Sequence, residues 1–182
     1  MIRFLLWLVG GALLGGIVHL ATVLLLPRIA TLDAYSRLSA ITPVNAVSPI
    51  PTPTPEQAIM PFMDPAFVAA VCRYDLSDGP LKFTVPISPS YTSVSFYTQG
   101  DVAYYAINDR SAGRRVIELE LMTTEQRAEQ PQNEEITAAD RLIVESPSET
   151  GLVVIRALAA EPGWVPAARN ALLQARCQQQ PQ

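Results

Sequence analysis

LKFTVPISPSYTSVSFYTQGDVAYYAINDR, residues 81–110, is the stretch whose reading decides the fold. Val94, Phe96 and Thr98 fall on one side of a period of two, and Ser93, Ser95 and Tyr97 on the other, the signature of a half-buried strand. Gln99-Gly100 then reads as a tight hairpin turn, with glycine expected to supply the positive φ. Leu81–Ile87, Thr92–Thr98 and Val102–Asn108 are three strands on this reading. Val116–Met122, Leu142–Glu145 and Leu152–Leu158 add three more. In the last of these, Val153 and Ile155 alternate with Leu152 and Val154. A strand apolar on both faces belongs in the middle of a sheet.

Helical patterns flank the strands. Asp64-Pro65 reads as a cap opening a helix to about Tyr74, with Phe67, Val68, Val71 and Cys72 on its apolar side. Thr54-Pro55-Glu56-Gln57 has the form of a capping box. A last helix from Pro162 or Pro166 to Arg176 carries Ala168, Leu172 and Leu173. Thr123 to Asp140 shows no strand pattern and reads as a long, mobile, acidic connection. The expected fold is mainly β (α+β): an antiparallel β-sandwich-like domain flanked by helices, behind a single N-terminal transmembrane helix.

Phe4 to Leu26 is apolar apart from His19 and Thr22. A helix rising about 1.5 Å per residue spans a bilayer core of about 30 Å over that length. A cleaved signal peptide is the competing reading, but Leu24-Leu25-Leu26-Pro27-Arg28 lacks a small-x-small site. Gly11 and Gly15 form a G-x-x-x-G pair, and His19 continues the stripe, which suits close helix packing. A histidine reaching toward headgroups is the plainer alternative. Residues 28–63 contain prolines at 43, 49, 51, 53 and 55, and read as a stiff polyproline spacer. The expected organisation is therefore a transmembrane anchor over 1–27, a proline-rich stalk over 28–63, a β-rich exported domain over 64–177 and a disordered tail over 178–182.

The chain has 182 residues, 49% hydrophobic and 16% charged, with a net charge of −4. An acidic balance argues against nucleic acid as a partner. Cys72 and Cys177 are the only thiols. They are too few for a structural zinc site, so no metal is expected. The readings left are a disulfide and two separate buried thiols, and an exported domain favours the bridge. Closing such a loop contributes about 4–5 kcal/mol in the chain-entropy model. Export in turn places the domain on the periplasmic side of a bacterial inner membrane.

The run from Asp64 to Asp75, DPAFVAAVCRYD, together with residues 81–110, resembles small membrane-anchored members of the bacterial domain-of-unknown-function 1254 family. The likeness covers about residues 30–177, and its strongest element is the order of an apolar helix, a strand ending in Val-Pro and an aromatic hairpin. The resemblance implies a β-rich exported domain, often encoded beside a second uncharacterised domain. It implies no active residues and no cofactor.

His19 is the only histidine and lies in the apolar segment, so the rest of the chain has none to activate a serine or cysteine. Carboxylate chemistry would fall to Asp75, Asp78, Asp101 and Asp109, which more commonly serve turn geometry. Arg110, Arg114 and Arg115 in NDRSAGRR form a candidate anion site, or else a solvated loop turned by Gly113. Tyr97 and Tyr105 are candidate partner contacts in an aromatic hairpin whose other rings are expected in the core. Three functions follow: an accessory or interaction subunit of an envelope complex, a small-anion binding module, and an enzyme using paired aspartates. The first expects a protein partner, either a membrane helix, a neighbouring envelope protein or a second copy of the chain.

Overall fold

The computed structural model describes residues 1–29, 33–54, 56–113, 115–129 and 142–179. It divides into two units, Met1–Asp33 and Ala34–Gln182. The first is essentially one helix, α1 (Ile2–Ile29), whose apolar part Ile2–Leu26 is long enough to cross a membrane. Between Ile2 and Leu26 its Leu, Val and Ile side chains are exposed.

The second unit is built in the order α2 (Ala34–Ser39), β1 (Val47–Ile50), β2 (Phe67–Asp75), β3 (Leu81–Pro86), β4 (Thr92–Thr98), β5 (Ala103–Asn108), α3 (Asp109–Ala112), β6 (Val116–Thr123), α4 (Thr124–Glu129), β7 (Leu142–Ser146), β8 (Thr150–Leu158), α5 (Val165–Leu173) and β9 (Arg176–Gln179). One sheet has the order β1-β2-β8-β4-β5, the other β7-β6-β3-β9. All pairings are antiparallel except β6 with β7.

The sheets meet over one apolar core. Val94 and Phe96 of β4 and Val153 and Ile155 of β8 face Phe83, Val85 and Leu119 of the other sheet. The rings of Phe83 and Phe96 cross edge-on at 5.9 Å and 75°, a favoured aromatic geometry. A second cluster covers the back of the larger sheet, where Leu38 of α2 packs with Ile50, Val71, Leu152 and Val154. Strand β8 lies between β2 and β4 and feeds both clusters, as its two-faced pattern requires.

Several sequence expectations are corrected. The segment after Asp64-Pro65 is strand β2, not a helix. Val68, Ala70 and Cys72 point to the inter-sheet core while Ala69 and Val71 point to the second cluster. Burial on both faces erases the alternation, and Phe67, Val71 and Cys72 then imitate helical spacing. The cap itself forms, since Asp64 Oδ1 accepts from Ala66 N at 2.9 Å, but it opens a turn. Thr54 Oγ1 likewise accepts from Gln57 N at 3.1 Å without a helix following.

The proline-rich segment does more than space. Val47–Ile50 pairs with β2 as an outer strand, where Pro49 sits in a position that tolerates a missing donor. Leu38 is fully buried, so packing begins well before the expected boundary at residue 64. At the other end, α5 stops at Leu173, and Arg176, expected in that helix, opens strand β9, which also carries Cys177. Gln178 and Gln179, expected in a disordered tail, are in register with Lys82 and Leu81.

The β4–β5 turn forms, but its left-handed residue is Asp101 (φ 60), not Gly100. Aspartate tolerates that region better than most residues. Part of the acidic connection is also ordered as α4. Thr123 Oγ1 accepts from Gln126 N at 3.2 Å and Gln126 Oε1 accepts from Thr123 N at 3.0 Å, a reciprocal capping box. The remainder of that connection, residues 130–141, lies outside the described residues.

Candidate functional site

On α1, the positions of Gly11 and Gly15 are open: a Cβ added at either meets nothing within 4 Å. Thr22 satisfies its hydroxyl by donating to the Val18 carbonyl at 2.8 Å, the local solution for a polar residue in an apolar helix. His19 is exposed on the same helix.

The arginine loop crosses from one sheet to the other. Asn108 caps α3 by accepting from Ser111 N at 3.0 Å, and Gly113 ends it at φ 62, so helix geometry accounts for both polar and glycine positions. Arg110 and Arg115 are exposed, and Arg114 lies outside the described residues. The four aspartates serve separate turns. Asp75 Oδ1 accepts from Ser77 N at 3.0 Å, and Asp101 accepts from Ala34 N at 3.1 Å. Asp109 opens α3, and Asp78 follows the Asp75 turn. Among the described residues no three His, Cys, Asp or Glu side chains gather as a metal site.

Hydrogen bonds from the Ser77 side chain and backbone hold the Asp75 carboxyl below its usual pKa. A depressed folded pKa stabilises above the unfolded value of about 3.9 and loses that contribution as pH falls through it. Asp75→Asn is expected to lower the urea midpoint at pH 7 and to flatten its decline as pH falls from about 5 to 3, so that variant and wild type converge at low pH.

The hairpin is anchored from beneath. Tyr104 and Tyr105 both turn toward Phe96, with ring centroids at 6.1 and 5.8 Å. The Tyr104 hydroxyl donates to the Tyr74 hydroxyl at 3.1 Å. The Tyr74 hydroxyl lies 3.0 Å from Ser146 Oγ and 3.3 Å from the Tyr97 carbonyl oxygen. Ser146 Oγ donates in turn to the Ser148 carbonyl at 2.6 Å. Burial raises the Tyr104 pKa, which keeps this hydroxyl a neutral donor. Sequence reasoning missed this cluster, because Tyr74 and Ser146 are 72 residues apart. Tyr105 thus faces inward, while Tyr97 packs on the opposite side with the second cluster, and the two do not share a surface.

What the hairpin presents outward is an edge. Four strands end the two sheets: β1 carries Pro49, β7 carries Glu145, β9 carries Arg176, and β5 reads AYYAIN with neither charge nor proline. Ala103 and Ala106 of β5 are exposed, and its far side has no strand partner among the described residues. Open uncharged edges offer rows of backbone donors and acceptors to another chain, and proteins ordinarily blunt them. Strand β5 is the candidate interaction site.

A family model described as "Protein of unknown function (DUF1254)" matches residues 44–179. No curated protein matches the chain. The crystal structure of the VPA0106 protein from Vibrio parahaemolyticus is similar in fold, with a TM-score of 0.58 at 15% identity over 80% of this chain and 32% of that one. An uncharacterised protein from Burkholderia cenocepacia gives a TM-score of 0.45 at 17% identity over 65% of this chain and 33% of its own. The chain therefore spans about a third of the length of these two solved proteins.

Proposed function

This chain belongs to the DUF1254 family of proteins of unknown function, and we propose that it acts as a membrane-tethered interaction subunit of a bacterial cell-envelope complex. In this reading α1 remains as a single-pass anchor in the inner membrane. The β-rich unit lies on the periplasmic side, where an oxidising compartment maintains the Cys72–Cys177 bridge. Strand β5 pairs with a strand of a protein partner, and Gly11, Gly15 and His19 pack against a partner helix in the bilayer.

The observation that carries the proposal is the uncharged β5 edge, without a strand partner among the described residues and underlain by the hydrogen-bonded tyrosine cluster. Its fold also forms only part of the Vibrio parahaemolyticus chain, which supports a domain used in company. The test is crosslinking in intact cells, followed by detergent purification and mass spectrometry. A stoichiometric partner is expected, and Ala106→Lys, which places a charge on an exposed edge position, should reduce its recovery by about tenfold or more. Gly15→Leu should separately weaken the membrane contact. A partner recovered equally with wild type and Ala106→Lys would remove β5 from the interface.

A further inference from the structure

On the back of the larger sheet, Ala69 of β2, Arg156 of β8 and Ser93 of β4 stand side by side in register. Small neighbours on either side leave Arg156 exposed over a hollow. Ala69 forms its floor and Val154, Ile50 and Phe67 its walls, while Met60 and Met63 lean in from the preceding segment. The open hollow has a volume of about 260 Å³.

We propose that this cavity binds a chain-bearing carboxylate, with the aliphatic part among the apolar walls and the carboxylate on Arg156. Apolar walls favour a hydrocarbon chain at about 25 cal/mol per Å² buried. Flexible, polarisable methionines adapt to its shape. A guanidinium offers the planar, bidentate fork that a carboxylate matches. The Arg156 side chain makes no hydrogen bond or ion pair with any described residue, so its guanidinium donors are available. The other charged group at the rim, Asp64, has one carboxylate oxygen engaged by Ala66 N at 2.9 Å. The volume lies just under the range of about 300–1,000 Å³ usual for ligand pockets, which selects a short chain.

Phe62 stands at the mouth. It is fully exposed at 103% of its reference area and holds φ 60, a conformation a bulky aromatic rarely adopts. Local strain of this kind gathers at ligand clamps. The ring gains burial only when something fills the space beside it, so Phe62 is the closing side of the site.

The test uses the full chain in lipid nanodiscs and octanoate bearing a photoactivatable diazirine, with labelled residues mapped by mass spectrometry. Labels are expected on the Met60–Phe67 segment and should be displaced by unmodified octanoate. Arg156→Gln should lower labelling by about tenfold, the scale of one charge-assisted hydrogen bond, without altering the melting temperature. Ala69→Leu, which fills the floor, should abolish it. Equal labelling by the matching octylamine probe would assign the site to Asp64 and overturn the carboxylate. Labelling confined to α1 would reduce the signal to membrane partitioning and overturn the site. Protection of the segment by a co-purified protein partner but not by octanoate would make the hollow part of a protein interface, and the ligand proposal would fall while the interaction reading stood.

Discussion

Gly151→Ala is expected to destabilise the β-rich unit by about 3–5 kcal/mol, although it adds a single methyl group. Gly151 lies opposite Tyr74 of β2 and Thr98 of β4 in the register of β8. A Cβ there would overlap both the Tyr97 carbonyl oxygen and the Tyr74 hydroxyl. The carbonyl belongs to the backbone of β4 and cannot swing away. Relief therefore requires β4 to shift at Tyr97 and Tyr74 to leave as well, and the latter breaks its hydrogen bonds with Ser146, Tyr104 and Tyr97. Overpacking costs about 1–3 kcal/mol, and each hydroxyl hydrogen bond that breaks adds about 1 kcal/mol. Urea unfolding monitored by circular dichroism measures the sum. Tyr74→Phe alone should cost about 1–2 kcal/mol. In the Gly151→Ala/Tyr74→Phe double variant the penalty should be less than additive, because the hydroxyl overlap is gone while the overlaps with the Tyr97 carbonyl and the ring carbon Cζ remain. A Gly151→Ala protein with wild-type stability would show that the close approach of Tyr74 across β8 does not exist.

That glycine illustrates which parts of the molecule are readable in the chain. Strand β4 announces itself because fully and partly buried positions alternate along it, so alternation survives in the letters, whereas β5 is legible through the turn that precedes it. Strand β8 is equally legible, since Leu152 to Ile155 is too uniformly apolar for any place but the middle of a sheet. Strand β2 is also central, yet its alanines and its Asp-Pro start weigh toward helix, and only tertiary pairing with β1 and β8 decides otherwise. Strands β1 and β9 are short outer strands carrying proline or glutamine, residues that local pattern assigns to spacers and tails. Site features follow the same division. The crossing geometry of Asn108 to Gly113 is local, and its turn chemistry could be read directly. The Tyr74–Tyr104–Ser146 cluster and the hollow at Arg156 join residues from distant strands, and no spacing in one dimension encodes them.

Removing the disulfide should have the second large effect. Cys72 of β2 and Cys177 of β9 are bonded across a sequence separation of 105 and link the two sheets covalently. Both are buried, at 0% and 2% exposure, so the sulfurs are also part of the apolar core. In the chain-entropy model a loop of this size contributes about 4.7 kcal/mol. For a unit of this size each kcal/mol moves the melting temperature by about 2–4 °C. The Cys72→Ala/Cys177→Ala variant is therefore expected to melt about 9–19 °C lower. Strand β9 has four residues and, among the described residues, pairs with β3 alone at the end of the sheet, so the bridge is a main fastening for it. Hydrogen exchange should show the amides of residues 176–179 losing protection first, at temperatures where those of β8 remain protected, because β8 is paired on both sides. The same order should appear when the wild-type protein is reduced. If exchange instead accelerated uniformly through β8 and β9, the bridge would be stabilising the whole unit without fastening its last strand. An unchanged melting temperature would mean that the unfolded chain gains no freedom when the bond is cut, contrary to the loop it closes.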